Sequence, residues 1–292
     1  MFKALRPPAF FLVVLLWFLF LFSLSVIASA IDLQTANTDE QFLFSFKIKQ
    51  ALGVLAVFIF PALLIAMLFS EQKLSYFLIH KTPSFRFVLL SSVCIILALP
   101  VIAWLEEINK AIHLPASWST LEKWMQFSEN KAQTVEDALM NQPGLANLAG
   151  NLFVIAFMAA LSEEIFFRGL LQQSLLRLTK NTHLAVWITA ILFSAFHLQF
   201  YGFIPRVMLG ALLGYCFTWS GSLWTSIIIH FLNNALVLVM TYLLNTRIIP
   251  KSAEQISITD DKVSLTWVVP AALLITGGLF LLHRLKKPLR LT

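Results

Sequence analysis

Apolar runs of about twenty residues recur along this chain, and that length is what a helix needs to cross the ~30 Å hydrocarbon core of a bilayer. Such runs fall at 9–31, 51–70, 87–105, 148–168, 184–200, 204–218, 223–245 and 265–283. In lipid every backbone N–H and C=O must be satisfied within the structure, which makes helices the natural spanning form for runs of this length. The expected fold is therefore all-α: a polytopic membrane helix bundle of about eight transmembrane helices, the sixth run being the shortest. Only 12% of the 292 residues are charged, against about 25% in soluble domains. The 27 Phe and 8 Trp suit lipid-facing surfaces and interfacial belts.

The formal charge of +6 does not indicate a nucleic-acid partner, because the basic residues are scattered through short loops instead of forming a stripe. They read as an orientation signal. With the N-terminus inside, Lys3, Arg6, Lys73, Lys81, Arg86, Arg168, Arg177, Lys180, Arg284, Lys286, Lys287 and Arg290 fall on inner segments, against Glu71. Both termini are thus expected in the cytoplasm of a multi-pass protein of the cell membrane, with the bacterial inner membrane as the expected location. Ala28-Ser29-Ala30 looks like a signal-peptidase site, but the apolar stretch before it exceeds the usual h-region of about 7–15 residues; a retained anchor is expected.

Cys94 and Cys216 lie in apolar runs, too few and too separated for a disulfide framework, and read as small core residues. In the polar stretch 106–147, Trp118, Leu121, Trp124 and Met125 recur at helical spacing, which predicts an amphipathic helix on the membrane surface. It reads as a surface cap, with a substrate gate as the sharper alternative. Gly210 and Gly214 form a GxxxG, a mark of close helix packing. Three regions follow: 1–147 with the N-terminal spans and the amphipathic segment, a core at 148–246, and 247–292 with a last span and a basic tail.

Ionisable side chains break three of the apolar runs. Glu163, Glu164 and Arg168 share one, His197 closes another, and His230, Asn233 and Asn234 lie in a third. Each charge at bilayer depth costs about 2.5–3.5 kcal/mol even on the lenient insertion scale, so such groups face one another inside the bundle. Glu164 and Arg168 are four apart and share a helix face. Glu163 lies about 100° round the helix, free to point elsewhere, so Glu163 is expected to be the working carboxylate and Glu164 the structural one. His230 and Asn234 also share a face, with Asn233 a competitor. Glu163 lies 17 residues before Lys180 and His197 17 residues after it; an antiparallel hairpin turning there brings the two to one depth.

A carboxylate beside an imidazole can deprotonate water and later protonate a leaving amine. An imidazole and a carboxamide on a facing helix can hold a developing oxyanion. These are the parts of an amide hydrolase that uses activated water. No GxSxG is present, and no Ser or Cys has an obvious base. Taken singly, each part reads equally as a structural ion pair or a hydrogen-bonded bundle histidine. A proton or ion relay would use similar residues, but such transporters often show internal repeats, and none is visible.

Glu163-Glu164-x-x-x-Arg168, Phe193-x-x-x-His197 and His230-x-x-x-Asn234, in that order, resemble the CAAX prenyl protease and bacteriocin-processing (CPBP, or Abi) family of intramembrane proteases. Ser220-Gly221-Ser222-Leu223-Trp224 resembles its lead-in to the third motif. The resemblance covers roughly 150–240. It implies an intramembrane endopeptidase acting on a peptide or protein substrate in membrane lipid, with Glu163 and His197 activating water, His230 and Asn234 stabilising the oxyanion, and Glu164 and Arg168 supporting. It also implies two alternatives. One is a zinc-dependent version using Glu163, His197 and His230, where the leading expectation is no cofactor. The other is a non-catalytic peptide-binding or bacteriocin-immunity protein.

Overall fold

The computed structural model describes residues 13–17, 19, 20, 40–69, 76–249 and 263–287. The described residues form helices and no strand. The run at 9–31, with its expected anchor, lies mostly outside them.

Helix α1 runs as Glu40–Val54, a π-helical turn Leu55–Ile59, and Phe60–Phe69. It is followed by α2 (Phe85–Lys110), the amphipathic α3 (Ser119–Met140), α4 (Leu145–Thr179), α5 (Thr182–Phe196), α6 (Phe203–Ser220), α7 (Leu223–Asn245) and α8 (Leu265–Arg284). Five of these, within α1, α2, α4, α7 and α8, are long and apolar enough to cross a membrane. The protein is a multi-pass membrane helix bundle, and five of the about eight expected spans meet this standard among the described residues. The runs at 184–200 and 204–218 become α5 and α6, which fall short of that standard. At 15 residues, α5 covers about 22 Å, less than the hydrocarbon core.

Hydrogen bonds sort the loops into two ends. At one end the Ser222 hydroxyl donates to the Lys81 carbonyl, Trp224 Nε1 to the Ile79 carbonyl at 2.9 Å, and Lys287 N to the Trp219 carbonyl at 2.8 Å. At the other, Lys47 Nζ donates to Gln142 Oε1 at 2.7 Å, Asn245 Nδ2 to Asn141 Oδ1 at 2.6 Å, and Val263 N to Glu107 Oε2 at 3.0 Å. The helices from α4 onward alternate between these ends, which turns α4 and α5 into the antiparallel hairpin expected around Lys180. Lys180 itself is left-handed, with φ +52°.

The interior is built on aromatic rings. Phe58 meets Phe166 at 5.7 Å and Phe167 at 5.9 Å between centroids, and Phe167 meets Phe193 edge-on at 5.1 Å. Gly210 and Gly214 let α6 close on α5: a Cβ on Gly210 would lie 3.1 Å from Ala190 Cα, and one on Gly214 3.0 Å from Val186 Cγ1. This is the close packing read from the GxxxG spacing. Both cysteines are buried and free, Cys94 filling the notch over Gly278.

Helix α3 is amphipathic but seats only its C-terminal half: Val135 and Leu139 are buried with Leu43 of α1. Trp118, Leu121 and Trp124 remain exposed, as suits a helix lying in an interface.

Candidate active site

Both carboxylates project from Ala159–Glu164, a short α-helical piece of α4 between two π-helical stretches, Leu152–Met158 and Ile165–Gln172. Such stretches are rare and concentrate at functional sites. All eight residues of the second stretch are buried, so α4 is covered all round here instead of along one stripe.

Glu164 is fully buried. Its Oε1 accepts from Arg168 Nη1 at 2.5 Å and faces His230 Nδ1 at 2.8 Å. Arg168, also fully buried, donates from Nη2 to the Gly210 carbonyl at 2.9 Å and lies over the Phe193 ring at 4.6 Å. One turn on, Gln172 Nε2 donates to the Gly214 carbonyl and Thr218 Oγ1, each at 3.0 Å. The close approach that the two glycines permit thus exposes two carbonyls of α6 to two polar side chains of α4.

Glu163 points elsewhere, as its angular offset requires. Its Oε2 lies 3.9 Å from His197 Nε2 and 3.8 Å from His230 Nε2, with the carboxylate 12% exposed and the His197 ring 27% exposed. Three helices therefore converge here: α4 supplies Glu163, the end of α5 supplies His197, and α7 supplies His230. His197 Nδ1 is 2.9 Å from the Phe193 carbonyl. That oxygen can only accept, so Nδ1 carries the proton and the lone pair of the neutral ring sits on Nε2, facing Glu163. Phe193 also packs edge-on against both imidazoles, at 4.9 Å from His197 and 5.7 Å from His230. The aromatic position of Phe193-x-x-x-His197 is the floor on which both rings and the guanidinium rest.

Asn234 follows His230 by one turn of α7, and its Oδ1 accepts from Asn233 Nδ2 at 3.2 Å. Among the described residues, neither of its amide hydrogens has an acceptor.

The loop after His197 is fixed by residues that carried no signal in the sequence. Asn109, at the end of α2, donates from Nδ2 to the Phe200 carbonyl at 2.6 Å and accepts from Ile204 N at 2.9 Å. Glu129 of α3 accepts from Phe200 N at 2.8 Å, and Trp124 meets the Phe200 ring at 5.7 Å. Ser194 donates to the Phe203 carbonyl at 2.8 Å, and Arg206 to Gln199 Oε1 at 2.5 Å. Burial raises the Glu129 carboxyl above its ordinary value, opposed by the N–H groups of Phe200 and Tyr201 and by Arg206.

Two imidazoles and a carboxylate are chemically suited to zinc. Tetrahedral zinc with bonds of 2.0–2.2 Å holds its ligand atoms about 3.4 Å apart. The separations here are 3.8 and 3.9 Å, and no group of three His, Cys, Asp or Glu among the described residues is spaced to hold a metal. As placed, the side chains do not fit a bound zinc.

Residues 145–236 match the family described as type II CAAX prenyl endopeptidase Rce1-like. The chain is also similar to the uncharacterized protein YpbD of Bacillus subtilis (strain 168), 28% identical over 89 residues, which make up 29% of this chain and 42% of that protein. The chain therefore spans less than half the length of this curated relative. No solved structure matches it. Glu163, Glu164, Arg168, His197, His230 and Asn234 all fall within the matched segment.

Proposed function

We propose that this chain, whose residues 145–236 match the Rce1-like CAAX protease family, is an intramembrane endopeptidase that hydrolyses a peptide bond with a water activated by Glu163 and His197. The observation that carries this reading is the position of the Glu163 carboxylate between the Nε2 atoms of two histidines from two other helices.

Polar atoms 3.8–3.9 Å apart are too far for a direct hydrogen bond and suited to one shared water. In the proposed reaction Glu163 takes a proton from that water as its oxygen bonds to the substrate carbonyl carbon. His197 Nε2 accepts the water's second hydrogen bond and sets the angle of attack. The new oxyanion takes hydrogen bonds from His230 Nε2 and the Asn234 amide. His230 donates there while also donating to Glu164 when both ring nitrogens carry protons. The C–N bond then breaks as Glu163 returns its proton to the departing amine. Arg168 holds the Glu164 carboxylate in place.

The test is cleavage of a fluorogenic peptide library by the purified protein in lipid nanodiscs. Glu163→Gln and His197→Ala are each expected to lower turnover at least a hundredfold, with binding of cleaved peptides retained. Wild-type turnover in the Glu163→Gln protein would refute the reading and favour a peptide-binding protein. Activity that tracks bound zinc through chelation and reloading would transfer the role of Glu163, His197 and His230 to the zinc version.

A further inference from the structure

Tyr76, Phe77 and Leu78 lie in the connection between α1 and α2, where a chain usually runs over the surface. All three are buried. Leu78 takes a left-handed backbone, with φ +58°, which is uncommon for a residue with a side chain and persists where the surroundings hold it. The connection therefore turns back into the end of the bundle.

Two helices grip it there. From α4, Gln173 Nε2 donates to the Tyr76 carbonyl at 3.0 Å, and Ser174 Oγ lies 3.5 Å from the Tyr76 hydroxyl. From the start of α7, the Ser222 hydroxyl donates to the Lys81 carbonyl and Trp224 Nε1 to the Ile79 carbonyl at 2.9 Å. Ser222 and Trp224 belong to the stretch that leads into His230. Between the two grips sits Phe77. A Cβ on Gly169 would come within 2.8 Å of Phe77 Cδ1 and 3.5 Å of Leu223 Cδ2, so the Phe77 ring fills the notch over Gly169 beside the first residue of α7. Gly169 directly follows Arg168, and Leu223 stands two turns, about 10 Å, before His230. The contacts of Glu164 Oε1 with Arg168 and His230 thus join the same two helices that the ring separates.

We propose that Phe77 is a positioning residue: wedged between Gly169 and Leu223, it fixes the register of α4 against α7 and with it the meeting of Glu164 and His230. Its effect on turnover rests on the peptidase reading of that site. Close-packed interiors transmit strain, and a misplacement of about 1 Å can cost a reaction about a hundredfold.

The experiment is a mutant cycle in the full chain in lipid nanodiscs, with turnover of cleaved peptides as the first readout. Phe77→Leu keeps a carbon against Gly169 and should hold kcat within about threefold. Phe77→Val lacks that carbon, and Gly169→Ala adds a methyl group where the ring stands; each should lower kcat at least about tenfold with KM changed by less than about threefold. In Gly169→Ala/Phe77→Val the methyl group fills the space that Val vacates, and kcat should return to within about threefold of wild type. The second readout is the ring-nitrogen NMR signal of His230 in protein labelled with 15N-histidine, which should move in both single variants and return in the double. Losses that multiply in the double variant, or a His230 signal unmoved by Phe77→Val, overturn the proposal. Wild type without turnover refutes the peptidase alone, and the His230 signal then decides the role of Phe77. If Gly169→Ala does not fold, Phe77→Leu and Phe77→Val decide between themselves, and equal behaviour of the two in both readouts overturns the proposal.

Discussion

Replacing Arg168 with Met should unfold this protein more readily than any change at Glu163. The Arg168 side chain is fully buried and supplies the Glu164 carboxylate and the Gly210 carbonyl with their hydrogen bonds from α4. Met fills much of the volume over Phe193 but leaves Glu164 with His230 alone among the described residues, where Glu164 Oε2 already has no hydrogen-bond partner. Removing one member of a buried ion pair costs about 3–5 kcal/mol. In a membrane the unfolded state also finds partners for its polar groups, which places the expectation near the lower figure, about 3 kcal/mol. Glu163 makes no direct hydrogen bond to the two imidazoles, both beyond 3.5 Å, and is partly exposed, so Glu163→Gln should cost no more than about 1 kcal/mol. Removing both charges with Arg168→Met/Glu164→Gln should restore at least about 1 kcal/mol relative to Arg168→Met, because the neutral amide can still accept from His230. Reversible unfolding in mixed micelles, followed by tryptophan fluorescence, measures all four proteins. If Arg168→Met is as stable as Glu163→Gln, or the double variant is less stable than Arg168→Met, the division between a structural and a reactive glutamate is wrong.

Asn109→Ala removes two hydrogen bonds from the loop after His197 at about 1 kcal/mol each; faster hydrogen exchange across 198–204 and a several-fold lower kcat with little change in KM are expected. Gly214→Ala would place a methyl group 2.8 Å from Gln172 Oε1 and should destabilise by about 1–3 kcal/mol. Gly277→Ala, with nothing within 4 Å of the added carbon, should instead be neutral or stabilising by up to about 1 kcal/mol, and thermal scans of the two variants side by side test the pair. Because burial raises the Glu129 carboxyl above its unfolded value, its contribution to stability is present below the ordinary carboxylate range and lost as pH rises through the folded value. Glu129→Gln should flatten that part of the stability curve, and an unchanged slope would show that Glu129 keeps its ordinary titration.

The sequence made the fold class legible because lipid leaves a chain so few options, and it made the ion pair legible because helical spacing puts Glu164 and Arg168 on one face. It also indicated the hairpin that brings Glu163 and His197 to one depth. Three features were not readable. The π-helical stretches on either side of Glu164 depend on how α4 is packed from all sides, which no apolar periodicity records. The hold of Asn109 and Glu129 on the loop after His197 joins residues more than seventy positions apart through main-chain atoms, which have no sequence identity. Five of the eight apolar runs are long enough to span among the described residues; the length of α5 was not readable, because apolar composition alone does not fix where a helix ends.

The length of α5 bears on how the site works. A helix spanning the full core would carry its terminal residue into the headgroups, where an imidazole meets bulk water. At about 22 Å, the 15-residue α5 is shorter than the hydrocarbon core, and His197 at its C-terminus meets Glu163, near the middle of the 35-residue α4. The loop that follows α5 is partly exposed. Asn109, Ser194, Arg206 and Glu129 hold it in place by binding its N–H and C=O groups directly. The clamp and the reactive pair are therefore two parts of one arrangement. Lengthening α5 by one turn at its N-terminus, away from the clamp, should displace His197 relative to Glu163 by about 5.4 Å and abolish turnover even with every site residue present. Full turnover in that insertion variant would show that depth matching does not define the site.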